Sequence, residues 1–209
     1  MNYLETTEWL FSKLPFYQNI GKSAYKSDLS QTLKLAKHLD YPESKFKSIH
    51  IGGTNGKGST AHMLASILQE SGYKVGLYTS PHLKDFRERI RINGLMINKK
   101  FVVDFVAENK SFFKDNIFSF FEMSVGMAFS YFAQEQVDIA VVEVGLGGRL
   151  DSTNIINPEV SVITNIGLDH TQFLGTTLKS IAVEKAGIIK LNTPIVIGET
   201  QSEIESIFR

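Results

Sequence analysis

The stretch from Lys47 to Ser59, "KSIHIGGTNGKGS", constrains this chain more than any other. A β-branched apolar run enters a glycine-rich turn, and Leu64, Ile67 and Leu68 then recur at helical spacing until Gly72. Strand, glycine turn and helix in that order build a phosphate-binding loop, because successive backbone N–H groups and the positive helix end face an anion. The loop departs from the usual G-x-x-x-x-G-K-[ST] at two places. Ile51 stands where the first glycine would be, and Gly58 stands where a hydroxyl would reach magnesium. Ser59 comes one residue late and points elsewhere on the helix turn. The competing reading is a glycine-rich turn with an incidental lysine; the strand before it and the helix after it count against that.

The rest of the chain continues the pattern. "KVGLYTS", "VDIAVVEVG", "EVSVITNIG" and "TPIVIGE" are short apolar runs ending in Gly, Ser or Glu, and they read as buried strands of a mostly parallel sheet. "RERIRINGLMIN" alternates around Asn93-Gly94, a hairpin signal that adds one antiparallel excursion. Strands alternating with helices predict a doubly wound α/β domain whose ligands bind beyond the carboxyl ends of the strands.

Composition removes several alternatives. The 209 residues hold 22 Lys plus Arg against 22 Asp plus Glu, without the basic excess of a nucleic-acid binder. The absence of cysteine excludes disulfide frameworks, thiolate metal sites and cysteine nucleophiles. No apolar run is long enough to span a bilayer, and "MNYLETTEWLF" has no basic n-region. The expectation is a cytoplasmic protein that binds neither nucleic acid nor membrane.

A nucleotide site without its own loop hydroxyl needs a metal ligand from elsewhere. Ser80 in "YTSPHL" sits at the next strand end, where Pro81 stops the strand; alone it would be a plain turn residue. Glu143 lies inside an apolar strand near its carboxyl end, an expensive place for an unpartnered carboxylate. A magnesium ion would partner it, with an ion pair to an arginine such as Arg149 as the alternative. Asp169 and His170 follow the next strand and reach the same crevice, whereas His38, His50 and His62 read as structural.

The segments "HIGGTNGKGS", "YTSPHL", "ERIRING", "EVGLGGRLDSTN", "LDHTQFLG" and "EKAGIIK" together resemble the folylpolyglutamate synthase (FPGS)/dihydrofolate synthase family, relatives of the Mur ligases. The resemblance runs through nearly the whole chain, and Gly58 points to the folate branch. It implies a P-loop three-layer α/β/α domain with a mostly parallel central sheet, like the central domain of Mur ligases. It implies ATP binding by Gly53, Thr54, Asn55, Gly56, Lys57, Gly58 and Ser59, and magnesium in two sites held by Ser80, Glu143, His170 and Lys185. Lys57, His170 and Lys185 are the implied catalytic residues, and Lys185 matches a lysine that the family carbamylates. Without the resemblance, Lys185 would read as a solvated helix-end lysine. Pterin contacts are implied for the Gly21–Asp28 segment, Ser119, Leu150, Asp151 and Ser152, while Phe118, Phe120 and Phe121 fit a core equally well.

The implied reaction activates a carboxylate of dihydropteroate or a reduced folate with ATP and joins it to L-glutamate, in a monomer. A Mur-type amino-acid ligase is the neighbouring alternative. A switch GTPase is disfavoured because neither Asn98-Lys99 nor Asn109-Lys110 continues as N-K-x-D. The end of the chain, with Ile204, Ile207 and Phe208 opening a helical pattern, reads as that of an ATP-binding domain, residues 1–209, cut off before a glutamate-binding domain. On that reading the piece alone is inactive.

Overall fold

The computed structural model describes residues 1–13 and 28–209. Seven strands form one sheet: β1 (Lys47–Gly52), β2 (Val75–Tyr78), β3 (Ile90–Ile92), β4 (Leu95–Met96), β5 (Ile139–Glu143), β6 (Val160–Ile163) and β7 (Ile195–Ile197). Their order is β4-β3-β2-β5-β1-β6-β7. The five strands from β2 to β7 run parallel, and β3 and β4 fold back antiparallel through Asn93-Gly94 as the alternation predicts.

Helices cover both faces. The principal ones are α1 (Tyr3–Phe11), α2 (Ser30–His38), α3 (Lys57–Glu70), α4 (Lys99–Asp115), α5 (Phe120–Gln134), the short α6 (Thr171–Leu174) and α7 (Leu178–Ala186). Successive strand residues alternate between faces. Ile51, Val75, Leu77 and Val141 pack with Ala61, Leu64 and Leu68 of α3. Tyr78, Ala140 and Val142 turn the other way into a larger cluster with Phe129 and Phe132 of α5. Ile163 joins Ile181 and Ile188 in a third cluster that also takes in Ile204, Ile207 and Phe208. This is the expected three-layer α/β/α arrangement. The apolar residues near the chain's end form a 3-10 turn, Glu205–Ile207, rather than an α-helix, and Ile204 is fully buried.

Register sets where the site lies. Ile51 pairs with Glu143, Gly52 with Ile163 and Tyr78 with Val142, so β1, β2, β5 and β6 end level with one another. Everything placed just beyond those residues shares one crevice. Among the described residues, no helix is long and apolar enough to cross a membrane.

Gly76 shows how closely α5 approaches the sheet. A Cβ there would stand 2.9 Å from the Phe132 ring, which is itself fully buried. Gly76→Ala is therefore expected to lower stability by about 1–3 kcal/mol in urea unfolding. Combining it with Phe132→Leu should cost less than the two single losses summed; strict additivity would show that the two side chains do not compete for this space.

Candidate nucleotide and acyl-activation site

The chain leaves β1 at Gly52 and reaches the first turn of α3 within four residues. Gly53 takes φ 139°, and a Cβ on it would fall 1.9 Å from Thr164 Oγ1. Gly56 caps α3 in the left-handed region, φ 79°, and offers no side-chain cap to the N–H groups of the first turn. Unpaired N–H groups and a positive helix end at that place are the geometry a phosphate-binding loop requires.

The loop is gripped from β6. Asn165 accepts the Thr54 N–H on its carbonyl and the Asn55 N–H on Oδ1, both at 3.0 Å. Thr164 donates its hydroxyl to the Asn55 carbonyl at 2.7 Å, and the Gly167 N–H donates to Thr54 Oγ1 at 2.9 Å. The main-chain donors of Thr54 and Asn55 are thus committed within the protein. Lys57 folds back onto the Thr54 carbonyl at 3.2 Å. Ser59 is exposed, and Ser80 is half-buried at the end of β2.

Glu143 is buried at the tip of β5 and accepts the Ser80 N–H at 3.0 Å on Oε2. Burial pushes its carboxyl above the usual range, against the Ser80 N–H and the Lys57 charge, which hold it down. The Arg149 alternative is not realised: Arg149 pairs with Glu184 at 2.8 Å. Among the described residues, no three histidine or carboxylate groups converge tightly enough to hold a metal unaided. One buried carboxylate beside the Ser80 backbone and a glycine loop would still suit magnesium, which keeps waters and binds through few carboxylates plus substrate phosphates.

Lys185 is not a solvated helix-end lysine. It is buried at the last turn of α7 and donates to the Gly53 carbonyl at 2.8 Å. Burial, then the neighbouring Lys57 charge, lowers its pKa to about 8, while Asp169 and Asp151 oppose the shift. His170 follows on the loop from β6, half-exposed in the left-handed region at φ 46°, with Nε2 3.6 Å from Asp169 Oδ2.

The implied pterin residues are placed differently from one another. Ser119 is buried as the N-cap of α5, exchanging hydrogen bonds with Glu122 in a capping box. Asp151 is buried and accepts from the Leu146 N–H, the Thr153 N–H and the Thr153 hydroxyl, so its carboxylate organises the loop after β5. Because Thr153 donates its hydroxyl to Asp151, its oxygen accepts from His50 Nε2, at 2.9 Å. His50 is fully buried and burial lowers its pKa to about 3, so it is a neutral structural histidine as expected. Leu150 is half-buried and Ser152 buried. Phe118 and Phe120 are core, with Phe121 packed partly against it. The Gly21–Asp28 segment, apart from Asp28, lies outside the described residues.

Sequence reasoning missed Thr164 and Asn165, although both lie just past the end of β6, where ligands of such sheets gather. It also missed Arg89, buried beside this crevice inside what the alternation marked only as a hairpin.

A glycine loop opening an uncapped helix, with a lysine and a buried carboxylate at parallel strand ends, defines a P-loop nucleotide-binding α/β domain. The Mur ligase middle domain family matches residues 51–204, and the chain belongs to that family. It is 41% identical over 214 residues to the dihydrofolate synthase/folylpolyglutamate synthase of Bacillus subtilis, covering 99% of this chain and 48% of that protein. An FPGS–AMPPCP–folate complex superimposes with TM-score 0.90 at 40% identity, over 100% of this chain and 51% of the other. Escherichia coli FolC in complex with DHPP and ADP gives TM-score 0.86 at 37% identity, over 97% and 48% of the two chains. The chain thus spans about half the length of these relatives.

Two outcomes follow from the geometry. Asn165→Leu removes the acceptor for the Asn55 N–H and should weaken binding of an ATP analogue roughly tenfold in calorimetric titration, about 1.4 kcal/mol. Unchanged affinity would show that the clasp does not position the loop. Lys185 holds its proton less tightly folded than unfolded, so stability should rise with pH between about 8 and the ordinary lysine value of 10.5. Below pH 8 both states carry the proton and the penalty is fully present. In Lys185→Met that rise should flatten in thermal melts; a slope equal to wild type would mean that Lys185 titrates normally.

Proposed function

We propose that this chain is the ATP-binding part of a ligase that joins L-glutamate to the carboxylate of dihydropteroate or a reduced folate. The observation that carries the reading is the convergence of Lys57, Glu143 and Lys185 around a phosphate loop at the carboxyl ends of the central strands, in a chain 41% identical to an enzyme of that name. Glutamate binding falls, in this reading, to the part of those relatives that the chain does not span. The protein acts as a monomer in the cytoplasm.

The first step transfers the γ-phosphoryl group of ATP to a carboxylate oxygen, breaking the bond to the β–γ bridging oxygen and releasing ADP. The glutamate amine then attacks the acyl carbon, loses a proton, and expels inorganic phosphate as the amide forms. Lys57 exchanges its Thr54 carbonyl for phosphate oxygens and balances charge on the transferring group, where most of the catalysis of such a step lies. Ser80 and Glu143 would hold one magnesium ion, and His170, Glu143 and Lys185 as its carbamate a second; bound there, the metal would supply charge neutralisation beside the acceptor carboxylate. The lowered pKa of Lys185 supports the carbamate, because only a neutral amine adds carbon dioxide.

Lys57→Ala should reduce glutamate incorporation by at least about 100-fold with the fold intact, as loss of one transition-state donor does elsewhere. Near wild-type turnover would overturn the assignment. Ser80→Ala should raise the magnesium requirement more than Ser59→Ala, and the reverse order in a magnesium titration would place the metal ligand on α3 instead.

A further inference from the structure

Arg89 is a buried cation that the site described so far does not use. It is only 7% exposed, and among the described residues no carboxylate lies within ion-pairing distance of it. Its carbonyl accepts the Thr79 N–H at 3.0 Å, which sets it directly across from the strand end that carries Ser80. The side chain is held from several sides. Nε donates to His82 Nδ1 at 2.7 Å, which fixes His82 as the neutral Nε2–H tautomer. The guanidinium carbon lies 5.1 Å from the centre of the Phe120 ring, and the His82 ring is itself stacked on Phe11 at 5.8 Å.

This is an expensive way to bury a charge unless something else completes it. An arginine without a carboxylate is destabilising in a low-dielectric wall. Its Nε is spent on a neutral acceptor and its face on an aromatic ring, neither of which balances a full positive charge. The charge reaches two sides, helping to hold down the pKa of Glu143 at the tip of β5 and that of the fully buried Tyr78 hydroxyl, so the guanidinium lies between the core and the strand ends. A planar fork of N–H donors held rigidly in such a place matches a planar carboxylate. A lysine could not be braced in the same way, because it has no flat face to lay on Phe120.

We infer that Arg89, braced by His82 and Phe120, binds the carboxylate of the acceptor substrate and aligns it for phosphorylation. The inference rests on the ligase reading above and adds to it the residue that selects for an acid. The ligand class is an aryl or alkyl carboxylate, recognised by charge and planarity. A carboxamide of the same shape would leave the guanidinium unbalanced.

The test compares two ligands in the natural full-length protein: dihydropteroate and its p-aminobenzamide counterpart, in which the carboxylate is an amide. Wild type should prefer the acid by at least roughly thirtyfold, as expected for a buried charge pair. Arg89→Gln should bring the two ligands to within about threefold while ATP-analogue affinity stays within about twofold, because only the charge pair is lost. Arg89→Lys serves as the folding-safe variant and should keep a reduced preference for the acid. Three results would overturn the inference: Arg89→Gln retaining the wild-type preference, Arg89→Lys weakening both ligands equally, or wild type binding both ligands alike. A wild type that binds neither ligand would overturn the ligase reading together with this inference.

Discussion

The clasp between the β6 loop and the phosphate loop is the interaction on which the rest of the site depends. A turn that contains φ 139° at Gly53 and φ 79° at Gly56 has too few bonds of its own to hold its shape. Thr164 and Asn165 fix it by taking the Thr54 and Asn55 donors and the Asn55 carbonyl, and Lys185 takes the Gly53 carbonyl. The clasp works because β1 and β6 are parallel and end level, Gly52 against Ile163. Two loops that leave adjacent parallel strands at the same height are obliged to touch. Gln201 steadies the arrangement from behind by exchanging both amide bonds with the Ile166 backbone, at 3.1 and 2.9 Å.

Charge in the crevice is arranged by burial as much as by pairing. Glu143 is pushed toward its neutral form and Lys185 toward its own, both chiefly by desolvation. Neither is matched to a single rigid partner, as a structural ion pair such as Arg149–Glu184 is. Groups held in this half-balanced condition respond strongly to an incoming triphosphate, cation or carboxylate, because each ligand relieves a cost already present. Burial pushes Asp151 the same way, but hydrogen bonds from Thr153 and from the Leu146 N–H oppose the shift and tie its carboxylate into the loop beyond β5.

The sheet was legible in the sequence because its signal is local. β-branched runs that end in small residues, and a hairpin marked by Asn93-Gly94, need no knowledge of the rest of the chain. The loop and its lysine were legible for the same reason. The status of Lys185 was not: whether a lysine at the end of a nine-residue helix is solvated or buried depends on which face of the sheet α7 covers. Arg89 was hidden likewise, because "RERIRIN" contains three arginines at alternating positions and only the fold puts one of them under Phe120. Ser119 illustrates the opposite difficulty. Its spacing to Glu122 is that of a capping box, which is visible in the sequence, and that local role competes with any contact to a substrate.

The loop's irregular spelling has a physical reading in the same terms. A Cβ at position 58 would lie 3.7 and 3.8 Å from the two carboxylate oxygens of Glu143. A hydroxyl carried on that Cβ would enter the space between Glu143 and the loop. With glycine there, the first turn of α3 presents only backbone to the carboxylate; in the proposed site the hydroxyl would come instead from Ser80, whose N–H already fixes Glu143 Oε2. A ligand at the strand end rather than on the helix would also tie the proposed metal position to the β2–β3 region that holds His82 and Arg89. A cation and an acceptor carboxylate positioned from the same loop would move together. In the proposed reaction, the phosphoryl group and its acceptor must meet in one orientation, and such coupling would favour that.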